Sequence, residues 1–217
     1  MAISIYGAAL SPFVRKVRVT AKEKNLEYEH VHVDPFKKPD DFQALSPFGR
    51  IPAFKDGNDI LADSAVICCY LEAKYPEPSL YPSDPYLKAR TLWFEKFGDY
   101  ELAPAATFGV FRNRVLMRLL GQSCDENAVA DTLENKLPPL LNYLENELGG
   151  NEFIVNNQLT VADISIATHF VNMGLGGEKI DATRWPSSAA YVERILARPA
   201  FAELVEKEQA FVRKYLG

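Results

Sequence analysis

Residues 51–64, which read IPAFKDGNDILADS, decide the fold of this chain. Two short apolar runs flank the Asp56-Gly57-Asn58 segment, and a DG turn between such runs predicts a β-hairpin. Directly after the hairpin, Ser64 can cap a helix that runs to about Tyr75. The helical spacing places four residues on the buried side of that helix: Val66, Ile67, Tyr70 and Leu71.

A β-α-β unit precedes the hairpin. Residues 3–6 are predicted as a strand, residues 12–24 as a helix with Pro12 in its first turn, and residues 28–33 as a second strand. Asn25 suits a left-handed stop after the helix. A crossover of this length predicts parallel pairing of the two strands. The order β-α-β followed by β-β-α is that of a thioredoxin-like domain.

A run of prolines marks a change of architecture: Pro76, Pro78, Pro82 and Pro85. Proline breaks helices and stiffens extended chain, so we predict a first domain over 1–76, a linker over 77–85 and a second domain over 86–217. The second domain shows helical patterns over 86–120, 126–148, 160–174, 187–197 and 199–215. We therefore expect an α/β thioredoxin-like domain followed by an all-helical domain.

Composition and charge exclude several classes of protein. The chain has 217 residues, of which 47% are hydrophobic and 24% charged, and this is typical of a globular protein. It has no ~18-residue apolar run of the kind that spans a membrane, and residues 1–6 show neither a basic nor a long apolar region, so we expect no secretory signal and no membrane partner. Three cysteines without metal-ligand spacing favour the cytoplasm and no metal site. The net charge of −5, with no basic stripe, makes nucleic acid a poor partner.

The element order and four short motifs resemble those of cytosolic glutathione transferases over nearly the whole chain. The motifs are YGAALSPF at 6–13, SPFGRIP at 46–52, DSAVI at 63–67 and LTVADISI at 159–166. The first resembles the catalytic loop of the serine-type classes, phi, tau and related bacterial types. The second resembles the family's NPFGxVP segment, and the fourth its N-capping segment. The resemblance implies a homodimer that conjugates glutathione, its co-substrate, to hydrophobic electrophiles without a bound cofactor.

The resemblance assigns glutathione-binding roles to residues of the first domain. Asp63 and Ser64 would hold the γ-glutamyl group, with its carboxylate on the helix N-terminus and its ammonium on Asp63. From the pattern alone Ser64 is an N-cap, and the two roles are compatible. The resemblance also implies a cis Ile51–Pro52 bond, so that the Ile51 main chain could pair with the cysteinyl backbone. The glycyl carboxylate needs a cation, and the candidates are Lys37, Lys38 and Arg50.

Ser11 is the catalytic residue that the resemblance implies. The pattern alone favours an N-cap, because Ser11 directly precedes a predicted helix. A free thiol has a pKa of ~8.5, and lowering it by two units needs about 2.7 kcal/mol. One hydrogen bond to a charged group supplies about 1.5–3 kcal/mol, which covers most of that requirement. Tyr6, at the end of the first strand, is the alternative, because other classes use a tyrosine there.

An electrophile pocket is expected between the domains. Its candidate lining residues are Leu10, Phe13, Phe36, Thr107, Phe108, Phe111 and Met117. An aromatic stripe on a long helix is also typical of a core. Phe48, an apolar residue in a proline-flanked loop, resembles the intersubunit key of the family. Two other functions remain open: a glutathione-dependent hydroperoxide reductase and a non-catalytic glutathione carrier.

The remaining cysteines, tryptophans and histidines carry no assigned chemistry. Burial is predicted for Cys68, Cys69, Trp93 and Trp185, which stand in helical or apolar stretches. The three histidines are isolated in the sequence, and each is expected to be structural: His30, His32 and His169.

Overall fold

The computed structural model describes residues 3–216. The described chain divides into two compact units, with the division between Tyr81 and Pro82. The first unit is an α/β domain, and the second is built from helices. The predicted fold class, a thioredoxin-like domain followed by an all-helical domain, is confirmed for the described residues.

A four-stranded mixed sheet forms the centre of the first unit, in the order β2-β1-β3-β4. Its strands are β1 (Ile3–Tyr6), β2 (Tyr28–Val31), β3 (Ala53–Asp56) and β4 (Asp59–Ala62). β1 pairs with β2 in parallel and with β3 antiparallel, and β3 and β4 form the predicted hairpin. The unit also contains helix α1 (Pro12–Glu23), a 3₁₀ turn (Asp40–Ala44) and helix α2 (Ser64–Lys74).

Helix α1 follows its sequence pattern closely. Val14, Val17 and Ala21, which share one face at helical spacing, are completely buried. Asn25 adopts the expected left-handed conformation, with a φ of 55°. Asparagine tolerates this conformation better than most residues, and the chain can therefore turn directly from α1 into β2.

The start of α2 differs from the prediction, because its N-cap is Asp63 and not Ser64. The Asp63 Oδ1 atom accepts hydrogen bonds from the backbone N–H groups of Ala65 at 2.9 Å and Val66 at 3.3 Å. Ser64 is the first helical residue and is buried. Asp63 has a φ of 80°, which L-residues rarely adopt. A carboxylate one residue earlier reaches the helix N–H groups and displaces the serine from the cap.

Three residues predicted to be buried lie at the surface. Val66 and Trp93 are 49% and 58% exposed, and Cys69 is also exposed. Val66 and Cys69 lie on the side of α2 opposite to the buried Leu71. The Trp93 indole N–H donates to the Tyr143 hydroxyl at 2.7 Å, so its polar edge is satisfied outside the core. Trp185 and Cys68 are buried as predicted.

A buried lysine joins the ends of α1 and α2 to the segment that follows them. The Lys24 Nζ atom donates to Glu72 Oε2 at 2.7 Å and to the Pro78 carbonyl at 2.8 Å. Glu72 also accepts from the Ser79 hydroxyl at 2.7 Å and the Leu80 N–H at 3.1 Å. The Lys24 side chain has no exposed surface, so this charge depends on its protein partners.

The second unit is helical throughout its regular elements. They are α3 (Pro85–Lys96), a π-helix (Phe97–Leu116), α4 (Met117–Leu119), α5 (Glu126–Asp131), a short π-helix (Thr132–Lys136), α6 (Leu137–Leu148), α7 (Val161–Leu175), α8 (Pro186–Leu196) and α9 (Pro199–Leu216). The single helix predicted over 86–120 therefore changes from α to π geometry within its length. Among residues 3–216, none of the helices combines the length and apolarity of a membrane span.

Asp163 organises the start of the central helix α7. Its carboxylate accepts from the backbone N–H groups of Thr160 at 2.7 Å and Ile154 at 2.9 Å, and from the Tyr191 hydroxyl at 3.0 Å. Thr160 and Asp163 form a capping box, in keeping with the N-capping motif at 159–166. Burial raises the pKa of Asp163, and the hydrogen bonds to its anion oppose that shift.

We expect Lys24→Met to lower the free energy of unfolding by about 3–5 kcal/mol, because it leaves Glu72 without its buried cation. Lys207→Met is the matched control, since Lys207 is 70% exposed and pairs with Glu203 at 2.8 Å on one helix. Urea unfolding monitored by circular dichroism measures both variants. Equal effects of the two substitutions would contradict the structural role of Lys24.

The Asp63 cap predicts an order of stabilities. Asp63→Ala removes the cap acceptor and strains the left-handed backbone, so we expect a loss of about 1–2 kcal/mol. Asp63→Asn keeps a side-chain oxygen and a residue that tolerates this φ, so its loss should be clearly smaller. Thermal unfolding of the two variants compares them directly, and an Asn variant as unstable as the Ala variant would argue against the cap.

Candidate active site

The register of the sheet gathers the predicted site segments at one edge. Val31, Tyr6, Ala53 and Ala62 lie side by side across the four strands. The loop 7–11 follows Tyr6, Ile51 and Pro52 directly precede Ala53, and Asp63 and Ser64 follow Ala62. Neighbouring strands are about 4.8 Å apart, so segments distant in sequence leave the sheet close together.

Ser11 ends the loop after β1 and begins α1. Its side-chain oxygen accepts from the backbone N–H of Val14 at 3.4 Å, which is the N-cap contact predicted from the sequence. The Ser11 N–H donates to the Ala8 carbonyl at 3.1 Å and closes the turn. Ser11 is partly exposed. Because its oxygen is the acceptor in the cap contact, its hydroxyl proton can be donated to another group.

Gly7 fixes the place where the loop leaves β1. Its φ of 149° is open to glycine and rarely to other residues. An added Cβ would lie 2.5 Å from Val14 Cγ2 and 3.1 Å from Ile51 Cβ. The absence of a side chain at Gly7 therefore lets the loop pack directly against both α1 and the Ile51 segment.

The segment 46–52 forms a tight turn that ends in a cis peptide bond between Ile51 and Pro52, as the resemblance implied. The Arg50 N–H donates to the hydroxyl oxygen of the buried Ser46 at 3.0 Å. Ile51 is partly buried against a cluster formed by Val33, Phe42 and Ala53. The hydrogen bond to Ser46 and the packing of Ile51 therefore hold the backbone of this segment, while Arg50 is exposed.

Lys38 lies beside the same turn. Its Nζ atom donates to the Pro35 carbonyl at 2.6 Å. A Cβ at Gly49 would meet the aliphatic stem of Lys38 at 3.8 Å, so Lys38 borders the residue that precedes Arg50. Lys37 is exposed, and its backbone N–H donates to the Asp34 carbonyl. Of the three candidate cations, Lys38 is thus the one whose stem lies beside Gly49, next to Arg50 in the chain.

Tyr6 has a different setting from Ser11. It is partly buried and packs against the cluster of Val33, Phe42 and Ala53. The first unit also exposes three apolar pocket candidates. Leu10 and Phe13, on either side of Ser11 in the sequence, are partly exposed, and Phe36 is 59% exposed.

The pocket candidates of the second unit differ in their exposure to solvent. Thr107 is buried, and its hydroxyl is 2.9 Å from His169 Nδ1. Phe111 is also buried, so both residues belong to the helical core. Phe108 is 47% exposed and Met117 is partly exposed. Only the latter two are accessible within the helical unit itself.

Two contacts of the site were not anticipated from the sequence. Asp63, rather than Ser64, makes the cap contacts, and the preference of aspartate for N-cap positions could have indicated this. His30, predicted to be an isolated structural histidine, has Nε2 2.9 Å from the Gly7 carbonyl oxygen. Burial and the nearby Arg18 lower the pKa of His30. No local pattern indicates this contact, because it depends on the pairing of β1 with β2.

Comparison with known proteins is consistent along the chain. Two family models match: glutathione S-transferase, N-terminal domain, over residues 5–79, and glutathione S-transferase, C-terminal domain, over residues 113–208. A glutathione S-transferase of Hyoscyamus muticus is 33% identical, over 96% of this chain and 100% of that protein. Glutathione S-transferase 3 of Zea mays is 33% identical, over 94% and 93% of the two chains.

Solved structures give the same result. A glutathione S-transferase from Rhodospirillum rubrum F11 has a TM-score of 0.86 at 27% identity, over 93% of this chain and 91% of that one. Glutathione S-transferase III in its apo form has a TM-score of 0.80 at 30% identity, over 95% and 96% of the two chains. The chain belongs to the glutathione S-transferase family.

Proposed function

We propose that this glutathione S-transferase is of the serine type and uses the Ser11 hydroxyl to hold the glutathione sulfur as a thiolate. The observation that carries the proposal is the setting of Ser11. Its hydroxyl is partly exposed at the N-terminus of α1, and its oxygen already accepts a backbone N–H of that helix. The hydroxyl proton is the group that this arrangement leaves for a bound anion.

The energetics of one hydroxyl suit this role. Lowering a thiol pKa from ~8.5 by two units requires about 2.7 kcal/mol of preference for the thiolate. A hydrogen bond to a charged group contributes about 1.5–3 kcal/mol. The positive end of the α1 dipole adds to it, because Ser11 is the N-cap of that helix. Ser11 keeps its own proton throughout, so no histidine or carboxylate partner is required.

The γ-glutamyl end of glutathione is proposed to bind at the start of α2. Asp63 uses Oδ1 for the cap, and its Oδ2 is the oxygen proposed for the ligand ammonium. The N–H and hydroxyl of Ser64, the first helical residue, are proposed to bind the carboxylate. The rare backbone conformation of Asp63 supports this assignment, since such conformations cluster at ligand sites.

The rest of the tripeptide is proposed to follow the edge of the sheet. The main chain of Ile51, which together with Pro52 directly precedes β3, would pair with the cysteinyl backbone as an added strand does. Arg50 and Lys38 would bind the glycyl carboxylate, and the position of Lys38 beside Gly49, the residue before Arg50, supports a shared role.

The reaction proposed is nucleophilic substitution or addition on a hydrophobic electrophile. In substitution the thiolate sulfur forms a bond to carbon, and the leaving group departs with its bonding electron pair. The thiol proton has already passed to solvent when the thiolate forms. The accessible candidates for contact with the electrophile are Leu10, Phe13 and Phe36 in the first unit, and Phe108 and Met117 in the second.

A homodimer and a cytoplasmic location complete the proposal. Phe48 is 89% exposed, and a large apolar side chain at such a position supports docking into a second copy of the chain. The cytoplasm supplies glutathione in its reduced form, which the reaction requires.

We expect Ser11→Ala to reduce kcat/KM at least about tenfold in conjugation to a chlorodinitrobenzene-type acceptor. The apparent pKa of the pH profile should rise, because the thiolate loses its donor. Ser11→Asp is the matched control for capping: aspartate caps as well as serine but places a negative charge beside the sulfur. It should fold normally and remain inactive near neutral pH.

The alternative assignment has its own signature. If Tyr6→Phe raises the apparent pKa and Ser11→Ala leaves it unchanged, the thiolate donor is Tyr6. A Ser11→Ala variant that loses activity only in proportion to lost folded protein would likewise contradict the proposal.

The glycyl site predicts a contrast between neighbouring cations. Arg50→Ala and Lys38→Ala should each raise the KM for glutathione about three- to tenfold, because each removes an ionic hydrogen bond to the carboxylate. Lys37→Ala is the control and should leave KM within about twofold, since an exposed charge without a ligand contact contributes little. Steady-state kinetics with varied glutathione measure all three, and equal effects at positions 37 and 38 would remove Lys38 from the site.

A further inference from the structure

His30 connects the edge strand β2 to the loop that carries Ser11. In the sheet its Cα is the register partner of Ile5, two residues before Gly7. The His30 Nε2 atom is 2.9 Å from the Gly7 carbonyl oxygen. A carbonyl oxygen can only accept, so Nε2 carries the proton and donates it. The contact therefore defines the tautomer of the ring.

The charge of the ring is defined by its surroundings. Burial of His30 and the nearby Arg18 on α1 lower its pKa, the hydrogen bond to Gly7 raises it, and His32, which follows β2, lowers it further, so that the net shift is downward. At neutral pH the ring is neutral and has a single N–H. The contact just described places that proton on Nε2, toward Gly7.

Gly7 is held by β2 through both of its backbone polar groups. Its N–H donates to the Val31 carbonyl at 3.0 Å, and its carbonyl accepts from His30. On the opposite sides Val14 and Ile51 leave no room for a side chain. The loop therefore starts from a fixed point and ends four residues later at Ser11, which α1 holds as its N-cap.

We propose that His30 is a positioning residue for catalysis: its Nε2–H bond to the Gly7 carbonyl sets the loop so that the Ser11 hydroxyl meets the thiolate. The inference rests on the proposed role of Ser11. Without the N–H, the Gly7 carbonyl loses its partner and the peptide between Gly7 and Ala8 is held less firmly. Hydrogen bonds weaken steeply with misalignment, so a small shift of the loop reduces the stabilisation of the thiolate.

The test compares substitutions of His30 in the full-length protein. His30→Leu keeps apolar volume without an N–H, and His30→Ala is a second variant without it. His30→Gln restores a donor near the position of Nε2. His32→Ala is the control, because His32 directly follows β2 and is exposed. The readouts are the pKa of the bound glutathione thiol, from thiolate absorbance in a pH titration, the KM for glutathione, and the melting temperature.

We expect His30→Leu and His30→Ala to raise the thiol pKa by about 0.5–1 unit, a three- to tenfold loss of thiolate at pH 6. The KM for glutathione should stay within about twofold, because the residues proposed to bind the tripeptide are unchanged. His30→Gln should recover most of the shift, and His32→Ala should show none. A lower melting temperature with an unchanged thiol pKa would make His30 merely structural and overturn the inference.

A double-mutant cycle separates this inference from the function on which it rests. With Ser11→Ala in place, His30→Leu should cause no further rise in the thiol pKa, because His30 acts through Ser11. An equal rise in both backgrounds would show an action independent of Ser11 and contradict the inference. If Ser11→Ala alone leaves the thiol pKa unchanged, the proposed function fails first, whatever His30 does.

Discussion

The pairing of β1 with its two neighbours determines where the functional residues of this protein can lie. Tyr6 is the register partner of both Val31 and Ala53, and therefore the loop after β1 starts beside the segment before β3. A shift of either pairing by one residue would turn every side chain of that strand to the opposite face. It would also move the Ser11 loop away from Ile51. The buried residues Ile3 and Ile5 oppose such a shift, because it would expose them.

Two helix N-termini make the end of the sheet where the site segments meet favourable for anions. Ser11 caps α1 and Asp63 caps α2, and both helices begin just beyond the same end of the sheet. Helix N-termini favour anions through unpaired N–H groups and the helix dipole. Glutathione presents two carboxylates and, when ionised, a thiolate. A chain with a net charge of −5 can thus receive an anionic ligand through local dipoles and a few nearby cations.

The sequence was sufficient to predict features that depend on residues close together in the chain. The β3–β4 hairpin, the stop at Asn25 and the capping box at Thr160 all follow from short patterns, and each is present. Features that depend on distant residues were not predictable. Val66 and Cys69 were assigned to the wrong side of α2, whose almost uniformly apolar sequence carries little information about orientation. The position of Thr107 beside His169 required the packing of two helices.

In the candidate site, too, short motifs indicate which residues take part, whereas their contacts depend on residues distant in sequence. Motifs in the sequence identify Ser11 and Ser64 as site residues. The N-cap of α2 is nevertheless Asp63, because the preceding turn places its carboxylate over the helix N–H groups. The bond from His30 to Gly7 joins residues on two strands and has no local pattern. Sequence reasoning can name the residues of such a site, but their hydrogen-bond partners follow from the register.

A crystal structure of the wild-type protein with reduced glutathione tests the central claim most directly. The account predicts that the cysteinyl sulfur lies within hydrogen-bond distance of Ser11 Oγ, about 3.0–3.5 Å, with the γ-glutamyl group at the start of α2. A sulfur placed beside the Tyr6 hydroxyl, or away from the N-terminus of α1 altogether, would contradict it.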